Sequence, residues 1–398
     1  MQRLVGILLA LGLTLTPTMA QASPVHLNPI SMSFPSPHVG YVLSLYDCSA
    51  KTCVALSETH DAALSWSPIP TPSELDNDLR LTAWSSYATD YTTLTIHFAD
   101  ARDGWIYGTV PAPATPNTAS PNLVSRLWST HNGGRTWREI RLGPLRLTGG
   151  VVQMATHGIS TYLFGINVYG PVYILATPSD SDQWTSNSNT PMEMPAGGTE
   201  LEGAFSFAGP SGWFVAGNDR GFTSSARLSK DGSWNAWNGP SLDKSDASFS
   251  PITAVTNKVL LVVGQSAGFV TPPVSTVPRD WNDGASWLFI SYDAGATFRP
   301  FRQLSRSNQV SYSTVPGLPA APVPGNILLQ QSTRSGYQLV RSTDWGRSWQ
   351  IVLTHTPSQI VFTNRTEGFT IVLRHSYQLG SSLFRTFDAG GHWSEVSL

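Results

Sequence analysis

Short apolar runs separated by polar turns fill the chain from about residue 25 to its end. Tyr41–Leu45, Val54–Leu56, Trp105–Tyr107, Trp213–Ala216 and Leu260–Val263 are typical. Runs of this length, rich in Val, Ile, Leu, Phe and Tyr and bounded by Gly, Pro, Ser, Thr and Asp, predict β-strands. After residue 22 no stretch carries the apolar spacing of an amphipathic helix. The pattern predicts an all-β protein.

The turns repeat. One octet recurs as Ser or Thr, any residue, Asp, any, Gly, any, Thr or Ser, then Trp. Ser342–Trp349 fits throughout, and Ser291–Phe298 ends in Phe. Thr386–Trp393 carries His392 in place of the second hydroxyl, Thr130–Trp137 carries Asn132 for Asp, and Thr59–Trp66 carries Ala63 for Gly. Ser229–Trp234 is shortened, and Thr177–Trp184 keeps only its ends. Ahead of each octet lies a polar turn followed by an apolar strand, beginning near Gly40, Gly104, Ser160, Gly212, Asn257, Gly325 and Gly368. The offset from turn to octet is nearly constant, as from Gly212 to Ser229 or from Gly325 to Ser342. The two long offsets, Gly104 to Thr130 and Asn257 to Ser291, contain inserts at 111–122 and 270–286 that are rich in Pro, Ser and Thr.

Each octet makes sense as a hairpin turn. Gly permits a positive φ, and Asp with Ser or Thr can bind nearby backbone N–H groups. The terminal Trp begins the next strand and can bury a large aromatic surface. Seven such units of about four strands each predict a seven-bladed β-propeller, closed into a ring rather than capped like a solenoid. It would form a single domain over residues 23–398, with inserts near 67–93, 111–122 and 270–286. The segment Val25–Phe34 is expected to pair with the last blade and close the ring.

Residues 1–22 change the picture of where this domain works. Arg3, the apolar run Leu4–Leu15 and the small-residue stretch Ala20-Gln21-Ala22 predict a secretory signal peptide. No Cys follows the cleavage region, and no later run is long enough to cross a bilayer. The expectation is a secreted or extracytoplasmic monomer without a transmembrane segment. The two cysteines, Cys48 and Cys53, flank a short polar loop between apolar runs and predict a disulfide across a hairpin. Two thiols without a partnered cluster predict no metal site. Only 13% of residues are charged, and 24 basic against 26 acidic side chains give a formal charge of −2. That balance excludes an overall basic nucleic-acid binder.

The octets resemble the Asp-box (BNR) repeat of sialidases, sortilin-type receptors, xyloglucan-hydrolysing propellers and photosystem II assembly-factor-type propellers. The Gly-Trp-apolar strand upstream most resembles the last type. The resemblance implies that Asp61, Asn132, Asp231, Asp293, Asp344 and Asp388, with Trp66, Trp137, Trp349 and Trp393, are structural. It does not fix a function, because the family spans hydrolases, receptors and scaffolds.

Glycoside hydrolysis needs two carboxyls facing one site. Outside the octets, Asp100, Asp103, Asp280 and Asp283 are the catalytic candidates; Asp76, Asp78, Asp90, Glu200, Glu202 and Asp219 complete the acids weighed. Candidate ligand-binding residues are Trp84, Tyr87, Tyr91, Trp281, Trp287 and Arg102, aromatics that could stack on sugars or anchor a protein and one guanidinium beside the acids. A sialidase's early Arg-Ile-Pro motif is missing, and Arg80 is the only early arginine of the mature chain. Arg135, Arg138, Arg141, Arg341 and Arg347 could form an anion- or protein-binding stripe. Neither a nucleophile elbow nor a phosphate loop occurs, and no cofactor is expected. The sequence therefore predicts a non-catalytic binding or assembly scaffold for an extracellular protein or glycan. A glycoside hydrolase and a lectin-like propeller stand as the alternatives.

Overall fold

A computed structural model describes residues 26–48, 51–75, 93–111, 123–142, 153–166, 172–187, 202–218, 221–239, 247–249, 252–266, 286–305, 319–333, 336–373 and 380–398. Apart from one helical turn at 73–75, every regular element there is a strand. The strands form seven antiparallel sheets, each contiguous in sequence and ordered as the chain runs. The protein is a seven-bladed β-propeller, as the repeat predicts.

The inner strands are Asn28–Ser33, Thr93–Phe98, Met154–His157, Glu202–Ala208, Ala320–Val323 and Thr356–Phe362 in blades 1, 2, 3, 4, 6 and 7. In blade 5 two short strands, Ala247–Phe249 and Thr253–Ala254, share the inner position and both pair with Leu260–Ser266. Asn28–Ser33 is thus the first strand of the first blade, laddered to Gly40–Cys48. It adds no strand to the last blade, which has four of its own, and this corrects the closure expected from sequence. Closure comes from side chains instead. Gln359 accepts from Met32 N and donates to Met32 O, each at 2.9 Å, so its amide imitates one rung of a ladder. Gly380 N donates to Asn28 Oδ1 (2.9 Å), and Ser381 Oγ donates to Pro29 O (2.7 Å).

The buried apolar residues fall into seven clusters, one across each seam between successive blades. Every octet aromatic points into the seam with the preceding blade. Trp137 packs with Tyr41 and Leu56 of blade 1, Trp349 with Leu288 and Ile290 of blade 5, and Trp66 with Phe369 of blade 7. The octet therefore shapes a turn and also fastens its blade to the previous one.

First turn and octet touch, in blades of short offset and in the two with long inserts alike. The amide of the fourth octet residue donates to a first-turn carbonyl in five blades: Ala62 to His38 O, Gly133 to Arg102 O, Ala294 to Lys258 O, Trp345 to Gly325 O and Ala389 to Thr366 O. The first-turn glycine is required by crowding. A Cβ at Gly104 would stand 2.5 Å from Phe98 Cδ1, and one at Gly368 2.7 Å from Phe362 Cδ1. An inner-strand aromatic lies over each of these glycines, and Phe98 also stacks across the seam on Tyr41 at 3.5 Å between centroids. Cys48 and Cys53 are disulfide-bonded across the second hairpin of blade 1, as expected.

Candidate functional site

Antiparallel order sorts the connections between two ends of the ring. First turns and octets lie at one end; second-to-third-strand hairpins and blade-to-blade links lie at the other. Residues 76–92, 112–122 and 267–285 join strand ends at that second end. Trp84, Tyr87, Tyr91, Asp280, Trp281 and Asp283 belong to these segments and lie outside the described residues, as do Asp76, Asp78, Asp90, Arg80, Glu200 and Asp219. Asp100, Arg102 and Asp103 sit in the first turn of blade 2, at the octet end. The two groups of catalytic candidates thus attach to opposite ends of the fold.

The octet carboxylates are occupied by their own turns. In blade 6, Asp344 Oδ1 accepts from Arg347 N and Ser348 N (2.9 Å each), and Oδ2 accepts from Ser348 Oγ (2.7 Å). Ser342 Oγ accepts from Gly346 N and donates to Asp344 Oδ1. Asp61, Asp293 and Asp388 bind in the same way. Asn132 keeps the acceptor, from Thr136 N (2.9 Å), and uses its amide to reach Thr136 Oγ1 (2.8 Å). Hydrogen bonds from Ser65 and Thr59 hold the Asp61 carboxyl down to about 2, and those from Thr297 and Ser291 do the same for Asp293. The fourth and fifth octet residues both adopt positive φ in these five blades, and in blade 1 both are alanines, Ala62 (62°) and Ala63 (64°).

The first-turn acids are engaged as well. Asp100 Oδ1 caps its turn, accepting from Arg102 N (2.7 Å) and Asp103 N (2.8 Å). Asp103 is buried, and its Oδ1 meets His131 Nδ1 at 2.7 Å. The other ring nitrogen of His131 meets Asp182 Oδ1 of blade 3 at 3.2 Å. Among the described residues no group of three or more His, Cys, Asp or Glu is arranged to hold a metal ion. Trp287 lies at the start of a blade 5 strand, partly buried against the seam with blade 4. The arginines form no single stripe. Arg135, Arg138 and Arg141 are on blade 2, whereas Arg341 and Arg347 are on blade 6, which is not its neighbour.

At the axis, inner strands of blades 4 to 7 and Gln153 line a cavity of about 290 Å³. Phe205, Ala254, Ala320, Ile360 and Phe362 give it apolar walls. Gln153, Ser206 and Thr253 on its lining each bond to the next blade. Gln153 Oε1 accepts from Phe205 N (3.0 Å), Ser206 Oγ from Ala254 N (2.8 Å), and Thr253 Oγ1 donates to Pro319 O. The same device continues around the ring, with Ser31 Oγ accepting from Ile96 N (3.1 Å) and His97 meeting Thr156 Oγ1 (2.8 Å). Burial pushes the His97 imidazole down to about 4, so it bonds as a neutral ring.

This architecture recurs in solved structures of different activity. The propeller resembles YCF48, solved bound to a D1 peptide. The TM-score is 0.51 at 18% identity, over 91% of this chain and 92% of that one. It also resembles the polysaccharide lyase Uly1 (TM-score 0.55, 9% identity, 91% and 90% covered). A third likeness is to the GH74 xyloglucanase of Xanthomonas campestris (0.51, 12% identity), where 93% of this chain covers 55% of the enzyme. At such identities the shared property is the fold. No protein-family model matches the chain, and neither does any curated protein sequence. No helix among the described residues is long and apolar enough to cross a membrane.

Proposed function

We propose that the protein is a non-catalytic, extracytoplasmic binding or assembly scaffold whose octets are Asp-box turns. The chemistry of the axial cavity carries this reading. Its lining residues include no carboxyl-bearing side chain, and Gln153, Ser206 and Thr253 already bind neighbouring blades. A pair of opposed carboxyls, which glycoside hydrolysis requires, is not offered by those residues. What they offer is an apolar wall suited to side chains of a protein partner. YCF48, of the same fold, has been solved with a peptide bound. The disulfide and the leader-like residues 1–22 support work outside the cytoplasm. The expected contact end is the one bearing the long connections 76–92, 112–122 and 267–285.

The competing reading is an enzyme acting on glycans. It has the lyase and xyloglucanase folds in its favour and would draw on Asp280 and Asp283. A panel of glycans and chromogenic glycosides, assayed for binding and turnover with residues 23–398, separates the readings. The scaffold predicts neither turnover nor saturable sugar binding, together with capture of a protein from the secreted fraction. Turnover abolished by Asp283→Asn would overturn it, and sugar binding without turnover would favour a lectin.

A further inference from the structure

The seam between blades 2 and 3 lacks a contact that other seams possess. In blade 4, Trp213 follows the first-turn glycine, and its Nε1 donates to Ala294 O in the octet of blade 5 (3.1 Å). In blade 6, Asn326 holds the same place and donates to Ala389 O in the octet of blade 7 (2.9 Å). Trp105 holds that place in blade 2, fully buried, and its Nε1 has no hydrogen-bond partner among the described residues. The octet it faces is the eroded one, Thr177–Trp184, which has lost Asp and Gly. The cluster Asp103–His131–Asp182 bridges this seam instead.

We infer that Asp103, His131 and Asp182 form a pH-operated clasp between blades 2 and 3, closed while His131 carries two protons and released when it loses one. The geometry supplies the argument. Each ring nitrogen faces a carboxylate oxygen, Nδ1 at 2.7 Å and Nε2 at 3.2 Å. A carboxylate only accepts, so both nitrogens must donate, and only the imidazolium has two N–H groups. On deprotonation one nitrogen turns a lone pair toward an anion. Asp103 is the more buried carboxylate and the closer one, so Nδ1 keeps its hydrogen and the longer bond, to Asp182, is surrendered.

The surrounding charges agree. Arg102 donates to His131 O (3.4 Å), and Arg138 lies 3.7 Å from Asp182 Oδ2 but is largely exposed and therefore screened. Asp100 is turned into its own loop. Burial alone would lower the His131 pKa, but the hydrogen bonds and charges of Asp103 and Asp182 outweigh it and raise the pKa above the ordinary value. A raised value in the folded state means stabilisation that is complete below the ordinary histidine pKa of about 6.5 and lost as pH climbs through the folded value. Asp182 also lines a cavity of about 330 Å³ beside Arg141 and Trp184, so release frees its carboxylate next to open space.

The test uses the full mature chain and two readouts. Imidazole nitrogen NMR between pH 5 and 9, assigned with His131→Gln, should show His131 doubly protonated at pH 6 with a midpoint above about 6.5. Amide exchange at residues 179–186, corrected for its intrinsic pH dependence, should accelerate several-fold between pH 6 and 8.5 in the parent and stay level in His131→Gln. Asp182→Asn should lower the His131 midpoint while leaving the fold intact. A midpoint at or below the ordinary value, or equal exchange profiles in parent and His131→Gln, would overturn the clasp.

Discussion

Two seams of the ring solve one problem with different chemistry. Between blades 6 and 7, Asn326 donates to Ala389 O, while Arg341 donates to Asn326 Oδ1 (3.2 Å) and Asp388 O (3.0 Å). An amide and a guanidinium keep their N–H groups across the whole range in which the fold survives. Between blades 2 and 3 the bridge is an imidazole between two carboxylates. An intact octet, wound tightly through two residues of positive φ, presents a backbone carbonyl to its neighbour. An eroded octet presents a side chain, and the complement must then be charged. Loss of a turn motif thus converts a contact indifferent to pH into one that responds to it.

This contrast can be broken at several points. The largest effect is expected from Gly390→Ala in the octet of blade 7. The new Cβ would stand 2.5 Å from Leu328 Cδ2 in blade 6, on a residue with φ of 85°. Overpacking and left-handed strain together should cost about 2–4 kcal/mol in a denaturant titration. Next comes Asn326→Ala, which leaves a buried carbonyl and the Arg341 guanidinium short of a partner, for roughly 1–3 kcal/mol. Its cost should be the same at pH 5.5 and 8.5, whereas the penalty of His131→Gln should shrink over that interval. A smaller effect is expected from Asp388→Asn. Although burial alone would raise the Asp388 pKa, hydrogen bonds from His392, Thr386 and Gly391 N outweigh it and hold the carboxyl well below its usual range. Its stabilisation is present above the ordinary carboxyl pKa and lost as pH falls through the folded value. The variant, imitating Asn132, should flatten the acid limb of a stability profile between pH 4 and 2. The smallest change is a gain. Ala62→Gly relieves a positive φ in the one octet built on two alanines, and should raise stability by about 0.5–1 kcal/mol.

Much of this fold was legible because its repeat is local. Octet, first turn and disulfide each depend on residues close in sequence. The ring closure was not legible. Asn28–Ser33 carries the apolar pattern of any inner strand, and nothing in that pattern tells which blade it joins. Gln359, which fastens it, lies 327 positions from Met32. The site was read less well. By sequence Asp103 reads as an acid for catalysis, and His131 is one more residue inside the octet Thr130–Trp137. The turn-to-octet spacing brings those two together, but Asp182 comes from a copy too eroded for alignment to register it. Of the aromatic candidates, Trp287 falls in a blade 5 strand, whereas Trp84, Tyr87, Tyr91 and Trp281 belong to the long connections, where no repeat constrains them.

Because every sheet is made from one uninterrupted stretch of chain, no blade waits for the far terminus before it can form. Blades can assemble in the order in which the polypeptide emerges, each octet aromatic after Trp66 of the first blade docking on a neighbour already present. The contacts of the first blade with the last, among them the Gln359–Met32 amide rung, the Gly380 and Ser381 bonds to Asn28 and Pro29, and the stacking of Phe34 on Phe369 (3.8 Å), must wait until the last blade arrives. The ring behaves like a bracelet with its catch between first and last blades. A chain cut at any other seam and rejoined at its natural ends should yield the same seven sheets with the catch moved.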